Sequence, residues 1–200
     1  MSRIAHPEII LASASPRRAA LLAQIGLPFR VEVSGLGDDG ETAWPGEDPG
    51  SHAARLALAK ARDVAGRLES GLVVGADTVV VLGERILGKP ADPGEAVAFL
   101  LALSGRTHRV ISGVAVSDAA AGRSEVVTAV TAVRMRPFGA AEAAAYVATG
   151  EPLDKAGAYG IQGQGALLVA EIQGDYYNVV GLPLVLLAEL LGRFGRAVWG

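Results

Sequence analysis

Two adjacent arginines, Arg17 and Arg18, follow Ser13, Ser15 and Pro16 in "LASASPRRAALLAQIG", where a strand-like run gives way to a helix. Ser15 and Pro16 fit an N-cap and a first helical residue, and Gly26 fits the stop. The arginines do not follow from that pattern, because cations in a first turn oppose a helix dipole that favours anions there. A helix N-terminus with N–H groups, hydroxyls and guanidinium groups is chemistry for a phosphate or a carboxylate. Two solvated surface arginines are the plain alternative. A second anomaly is Asp77, which interrupts the valine-rich "GLVVGADTVVVLG" where an unpaired carboxylate is costly to bury. A turn cap or a partner for a buried arginine would explain a lone Asp as well. Two further segments point away from that default. "LGKP" puts Lys89 at a turn, and "LDKAGAYGIQGQG" adds Asp154, Lys155 and Gln162 among glycines that let backbone approach a ligand closely. No GxxxxGK[ST] or GxGxxG pattern is present to name that ligand. Asp77, Asp38 and Asp39 are hard oxygen donors suited to Mg²⁺ or Mn²⁺. Three scattered histidines (His6, His52 and His108) without HExxH make zinc a poor fit, and no GxSxG elbow supports a Ser–His–Asp triad. These residue types suit hydrolysis of a nucleotide phosphoanhydride, and a sugar-phosphate enzyme about as well.

Elements that alternate between strand and helix must position these groups. "EIILAS" and "FRVEVS" read as strands around the first helix, and the acid-, glycine- and proline-rich residues 35–50 read as a loop. "SHAARLALAKARDVAGRLES" has apolar residues at helical spacing. "GLVVGADTVVVLGERILGKP" reads as strand, polar interruption, strand and a tight turn at Gly83–Glu84. Asp92 caps a helix from Pro93 to about Leu103, stopped by Gly105. "THRVISGVAVSD" and "SEVVTAVTAVRM" read as an antiparallel strand pair, followed by a helix near 139–149. "ALLVAEI", a turn at Gly174–Asp175 and a final helix from Pro183 complete the pattern. It predicts an α/β fold, a curved mixed β-sheet flanked by helices, with two lobes around a central cleft and residues 1–200 in one domain.

Composition narrows the class. The chain is half hydrophobic with a net charge of −3, which excludes disorder and any overall field favouring nucleic acid. Without cysteine there is no disulfide framework, thiol nucleophile or thiolate metal site. The apolar run in "IILASAS" is too short for a signal peptide and is preceded by Pro7 and Glu8 rather than a basic region. No apolar stretch reaches the length of a membrane span. The expectation is a soluble, cytoplasmic protein with a small-molecule partner, no nucleic acid and no membrane, for which a homodimer stays open.

Six segments, "LASASPRR", "RLALAKAR", "GADTVVVLGERILGKP", "LSGRTHRVISGVAV", "EPLDKAGAYGIQGQGALLV" and "GDYYNVVGLP", stand in an order that closely resembles the Maf family of nucleoside triphosphate pyrophosphatases. The resemblance runs through nearly the whole chain and implies a Maf/ITPase-like fold. It implies hydrolysis of a nucleoside triphosphate to the monophosphate and pyrophosphate with Mg²⁺ or Mn²⁺, a reaction that can remove non-standard nucleotides. Under it, Arg17, Arg18 and Ser13 face the triphosphate, and Lys60 and Lys89 neutralise phosphate charge. Asp77 matches the family's catalytic base and a metal contact. Thr78 and Gln162 match positions that, with Arg17, are linked to substrate choice. "GADT" and "YGIQG" resemble the branch acting on dTTP and UTP rather than the 7-methyl-GTP branch.

One departure stands out. The family places an acidic pair soon after the second strand, and here Gly37 of "SGLGDDGE" falls where the first acid is expected. A shift of one loop residue brings Asp38 and Asp39 into place, with Asp38 as the expected metal or substrate ligand and solvated loop acids as the alternative. Two other function classes compete with the enzyme. A regulatory nucleotide-binding protein, in keeping with the family's association with septum formation, needs the phosphate cradle but no base. Asp77 argues against it, since a spare carboxylate near a triphosphate only repels it. A nucleic-acid binder needs basic surface with exposed aromatics, which four Phe, four Tyr and two Trp in an acidic chain do not favour.

Overall fold

Parallel pairing begins the sheet. Strand β1 (Ile9–Leu11) lies between β2 (Phe29–Val31) and β3 (Leu72–Leu82) and is parallel to both, which its buried Ile-Ile-Leu sequence suits. The computed structural model describes residues 7–36, 44 and 46–199. Its seven-stranded sheet runs β2-β1-β3-β5-β6-β7, with β5 at Thr107–Asp118, β6 at Ser124–Met135 and β7 at Val169–Gln173. The short β4 (Arg85–Leu87) pairs antiparallel with the end of β3, and β7 pairs antiparallel with β6. The short connection between β5 and β6 is too brief for a parallel crossover. The expected mixed α/β sheet flanked by helices is therefore present.

The chain divides into two units. One comprises Met1–Asp77, Ser112–Ala129 and Gly181–Gly200; the other comprises Thr78–Ile111 and Val130–Val180. In the first, helix α1 (Pro16–Gln24) follows β1, and helix α2 (Pro49–Ala65) packs on the strands through small residues. Ala53, Ala57 and Ala61 recur every fourth position and so share one face of α2. Opposite them stand glycines: a Cβ on Gly75 would lie 2.2 Å from the Ala57 carbonyl, and one on Gly113 2.3 Å from that of Ala53. Helix and strand backbones thus touch, around a core of Ile10, Val64, Val73 and Ala115. The final helix, α6 (Leu184–Arg193), also belongs to this unit.

The second unit carries α3 (Pro93–Leu103), α4 (Ala140–Ala148), three 3₁₀ turns between Glu151 and Leu168, and α5 (Tyr176–Val180). Leu87, Phe99, Leu100, Val110, Met135 and Tyr146 form its core.

Four local expectations change. The second helix starts at Pro49, before the expected "SHAAR", because the Asp48 carboxylate accepts from the N–H groups of Gly50 and Ser51. Asp77 does not break its strand: β3 is continuous over eleven residues. The "ALL" of "ALLVAEI" lies in a 3₁₀ turn, and β7 begins only at Val169. Helix α5 had no signal of its own; the Asn178 amide holds it by donating to the Val110 carbonyl and the Thr131 hydroxyl.

Candidate active site

In the first unit the end of β1 delivers Ser13 to a buried position just before α1. Its hydroxyl accepts from the Ser15 N–H at 3.2 Å and from the Arg18 guanidinium at 3.1 Å. Arg18 also donates through Nε to the Gly181 carbonyl at 2.9 Å, from the segment that leads into α6. Arg18 therefore ties the β1–α1 turn to a distant part of the chain. Arg17, beside it, is half-buried. Ser15 is the N-cap by position, but its side chain makes no cap hydrogen bond.

The close packing of α2 on β3 brings Lys60 to Asp77. The Lys60 ammonium donates to Asp77 Oδ1 at 2.8 Å, with both side chains largely buried. A carboxylate inside a valine-rich strand is tolerated because a cation from the neighbouring helix meets it. Lys60 and Asp77, expected separately as a phosphate-neutralising cation and a base, thus stand together as an ion pair that the sequence did not announce.

One turn earlier on α2 lies a cluster that the sequence analysis did not single out. Arg55 grips Glu47 in a two-point ion pair, Nε to Oε1 at 2.7 Å and Nη2 to Oε2 at 2.8 Å, while Nδ1 of His52 lies 3.0 Å from Oε2. The Arg55 guanidinium also stacks on the exposed ring of Trp44 at 4.1 Å. The hydrogen bond from Arg55 outweighs burial and holds Glu47 down to about 2. Arg55 is raised in turn, first by its hydrogen bond to Glu47, with a smaller contribution from the charge of Asp77. The cluster fixes the start of the helix that carries Lys60. The usable signal was the i, i+3 spacing of His52 and Arg55, which puts them on one helix face. Glu47, in an irregular loop, offered none.

Thr78, Lys89 and Gln162 belong to the second unit. Thr78 is half-buried on β3, and Lys89 and Gln162 are exposed. The Lys89 turn is joined to the glycine-rich segment by the Gly157 N–H, which donates to the Gly88 carbonyl at 3.0 Å. Gly157 has a φ of 69°, and a Cβ there would meet Val80 at 2.8 Å, so only glycine fits. Ala158 follows with a φ of 56°, an uncommon left-handed conformation for a residue with a side chain. Lys155 donates to the Glu151 carbonyl and, at 2.6 Å, to Asp154. His108 is buried, shares a 2.8 Å hydrogen bond between Nε2 and the Tyr159 hydroxyl, and has no partner for Nδ1 among the described residues. Burial pushes this imidazole down to about 4.

Asp38 and Asp39 lie outside the described residues. Among the described residues no group of three or more His, Asp or Glu side chains could cage a metal by itself. Mg²⁺ is usually held by one or two carboxylates together with waters and substrate phosphates, and Asp77 supplies one such carboxylate. Asp77 is a hard oxygen donor of the kind such an ion takes. No helix among the described residues is long and apolar enough to cross a membrane.

A family model described as "Maf-like protein" matches residues 8–194. A dTTP/UTP pyrophosphatase of Moorella thermoacetica is 56% identical over 193 residues, which cover 96% of this chain and 98% of that protein. Proteins with the same description from Pelotomaculum thermopropionicum and Dictyoglomus turgidum are each 50% identical, over 191 and 193 residues, with the same coverage of both chains.

Proposed function

The chain belongs to the Maf-like protein family, and from that premise we propose that it is a nucleoside triphosphate pyrophosphatase acting on dTTP and UTP. Water attacks the α-phosphorus, the bond from that phosphorus to the bridging oxygen of the β-phosphate breaks, and the monophosphate and pyrophosphate leave. The observation that carries the reading is the Lys60–Asp77 pair at 2.8 Å inside a buried strand. Asp77 takes the proton from the attacking water as general base, and Lys60 orients its carboxylate. Arg17, Arg18, Ser13 and Lys89 hold the phosphates, with the two guanidinium groups presenting planar donor pairs to phosphate oxygens. Asp77, together with Asp38, would hold Mg²⁺ or Mn²⁺, which when bound neutralises phosphate charge. Gln162 offers both an acceptor and a donor to the N3–H and O4 edge of uracil or thymine, and Thr78 lines the same choice. A free nucleotide, not a nucleic acid, is the partner, and the cytoplasm is the compartment.

The test is incubation of the pure protein with each nucleoside triphosphate and Mg²⁺ or Mn²⁺, followed by product identification. UTP and dTTP should give the monophosphate and pyrophosphate, with kcat/KM above that for ATP and GTP by at least about a hundred-fold, or roughly 2.7 kcal/mol. Orthophosphate and a diphosphate as first products would overturn the reaction. Equal use of 7-methyl-GTP would overturn the base preference alone.

A further inference from the structure

Gln162 has an exposed side chain on a stretch with no strand or α-helix to hold it, between a 3₁₀ turn ending at Ala158 and another starting at Gly163. A residue that reads a base edge must be held to within a fraction of an ångström, so something outside the stretch must fix its backbone. Both of its flanks lead to one carboxylate. On the far side of Gln162, the N–H groups of Gln164 and Gly165 donate to Glu151 at 2.9 and 3.0 Å. On the near side, the Gly160 N–H donates to the Tyr146 hydroxyl at 3.2 Å, and that hydroxyl donates to Glu151 at 2.9 Å. Gln162 is thus the middle of a span whose two ends close on Glu151.

The glycines of this span are explained by the same closure. A Cβ on Gly163 would lie 2.7 Å from Glu151 Oε2, and one on Gly165 would lie 2.2 Å from the Gly160 carbonyl and 2.5 Å from the Tyr146 hydroxyl. Their missing side chains admit the protein's own carboxylate and phenol rather than a ligand. Burial pushes Glu151 up, but the two N–H groups, the Tyr146 hydroxyl and Lys155 together outweigh it and hold the acid below its ordinary range. Burial also pushes the Tyr146 phenol up, so it stays a donor to Glu151.

We infer that Glu151, acting through Tyr146 and the backbone of residues 160–165, is the positioning residue that sets base selectivity at Gln162. The inference rests on the reading of Gln162 as the base-reading residue. Glutamine at 151 would present an amide NH₂ to a ring of donors, which breaks the closure while keeping the volume. Steady-state kinetics of Glu151→Gln should show KM for UTP and dTTP raised by ~10-fold or more, kcat at saturation changed by less than ~3-fold, and preference over GTP reduced by ~10-fold. Tyr146→Phe, a milder change that frees only the Gly160 end, should shift selectivity the same way by a smaller factor, and it serves as the test if Glu151→Gln fails to fold. Gln162→Ala and the double variant Glu151→Gln/Gln162→Ala should share one selectivity, because a residue that acts through Gln162 has nothing left to position. Wild-type selectivity in folded Glu151→Gln and Tyr146→Phe, equal loss of kcat on every substrate, or additive effects in the double variant would overturn the inference. A wild-type protein with no preference for UTP and dTTP would instead overturn the base-reading role of Gln162 itself.

Discussion

Asp77 and Glu151 are both carboxylates drawn out of water, yet the two units hold them in opposite ways. Asp77 sits on a long strand and meets a single long-armed ammonium, Lys60, from a helix packed against that strand. Glu151 sits on a 3₁₀ turn and meets two backbone N–H groups and a phenol. An acid whose partner is a flexible side chain can exchange it for a water, a proton or a metal while its strand stays fixed. An acid filled by backbone donors cannot exchange them without unmaking the loop. The first arrangement suits the chemistry proposed for Asp77, and the second suits the positioning proposed for Glu151.

The sharpest way to break this contrast is Asp77→Asn, which keeps size and removes the carboxylate proposed as the base. Turnover on UTP should fall by ~10²–10⁴-fold with triphosphate binding retained or slightly tighter, as read by steady-state kinetics and calorimetric titration. Near-normal turnover would pass the base role to another acid, with Asp38 the first to test.

The same contrast explains what could be read from the sequence. Asp77 stood out because a carboxylate between valine runs violates the local pattern, and the structure shows a buried acid that needs a cation there. Lys60 was legible only through the resemblance, since a lysine on a surface helix breaks no rule. Glu151 broke none either: an acid after Thr-Gly and before a proline is ordinary loop composition, and its partners are backbone groups without a sequence signature. Most strands and helices were legible because their hydrophobic periods are strong. Helix α5 was not, because a five-residue helix held by the Asn178 side chain has no period to detect. The polar residue that seemed to split β3 misled for the converse reason, since its cost is met by a lysine elsewhere in the chain.

Acid should also separate the units. His108 in the second unit has its folded value pushed to about 4 from an ordinary 6.5. Between those values the unfolded chain takes up a proton that the folded chain refuses, so stability falls as pH falls through that window. At 1.36 kcal/mol per unit the loss amounts to about 3 kcal/mol across it. Glu47 in the first unit has its folded value lowered from 4.5 to about 2. The stability it contributes is present above 4.5 and is lost as pH falls toward about 2. Urea unfolding from pH 7.5 to 4 should lose most of its slope in His108→Gln and keep it in Glu47→Gln. Equal slopes in wild type and His108→Gln would show that the buried imidazole does not govern that window.

A smaller effect distinguishes the two arginines at the start of α1. Replacing either by Ala should weaken triphosphate binding ten- to hundred-fold, since a charge-assisted contact contributes ~1.5–3 kcal/mol, while nucleoside binding changes little. Lysine should rescue only in part, for want of the planar fork. Arg18→Ala should also lower the melting temperature more than Arg17→Ala, because Arg18 ties Ser13 to Gly181. Unchanged triphosphate affinity in both alanine variants would remove both from the phosphate site and leave Arg18 its structural tie alone.

The smallest expected effect concerns two helix starts that look alike in sequence, "SP" before α1 in the first unit and "DP" before α3 in the second. Asp92 caps α3 with its side chain, accepting the Glu95 N–H at 2.8 Å, and the Glu95 carboxylate in turn accepts the Ala91 N–H at 2.7 Å. That end of α3 thus has one of its own donors met by its cap. Ser15 occupies the same position at α1, yet its hydroxyl caps nothing and its own N–H turns back to Ser13. The first unit thus leaves the start of α1, beside Arg17 and Arg18, without a side-chain cap. Asp92→Ala should therefore cost about 1 kcal/mol, the ordinary value for a lost cap. Ser15→Ala should cost less than about 0.5 kcal/mol, as for a substitution that removes no bond. Urea midpoints of the two variants, measured without nucleotide, decide between these values. A loss at Ser15 as large as that at Asp92 would mean that its hydroxyl caps α1 in solution, and the contrast between the two helix starts would disappear.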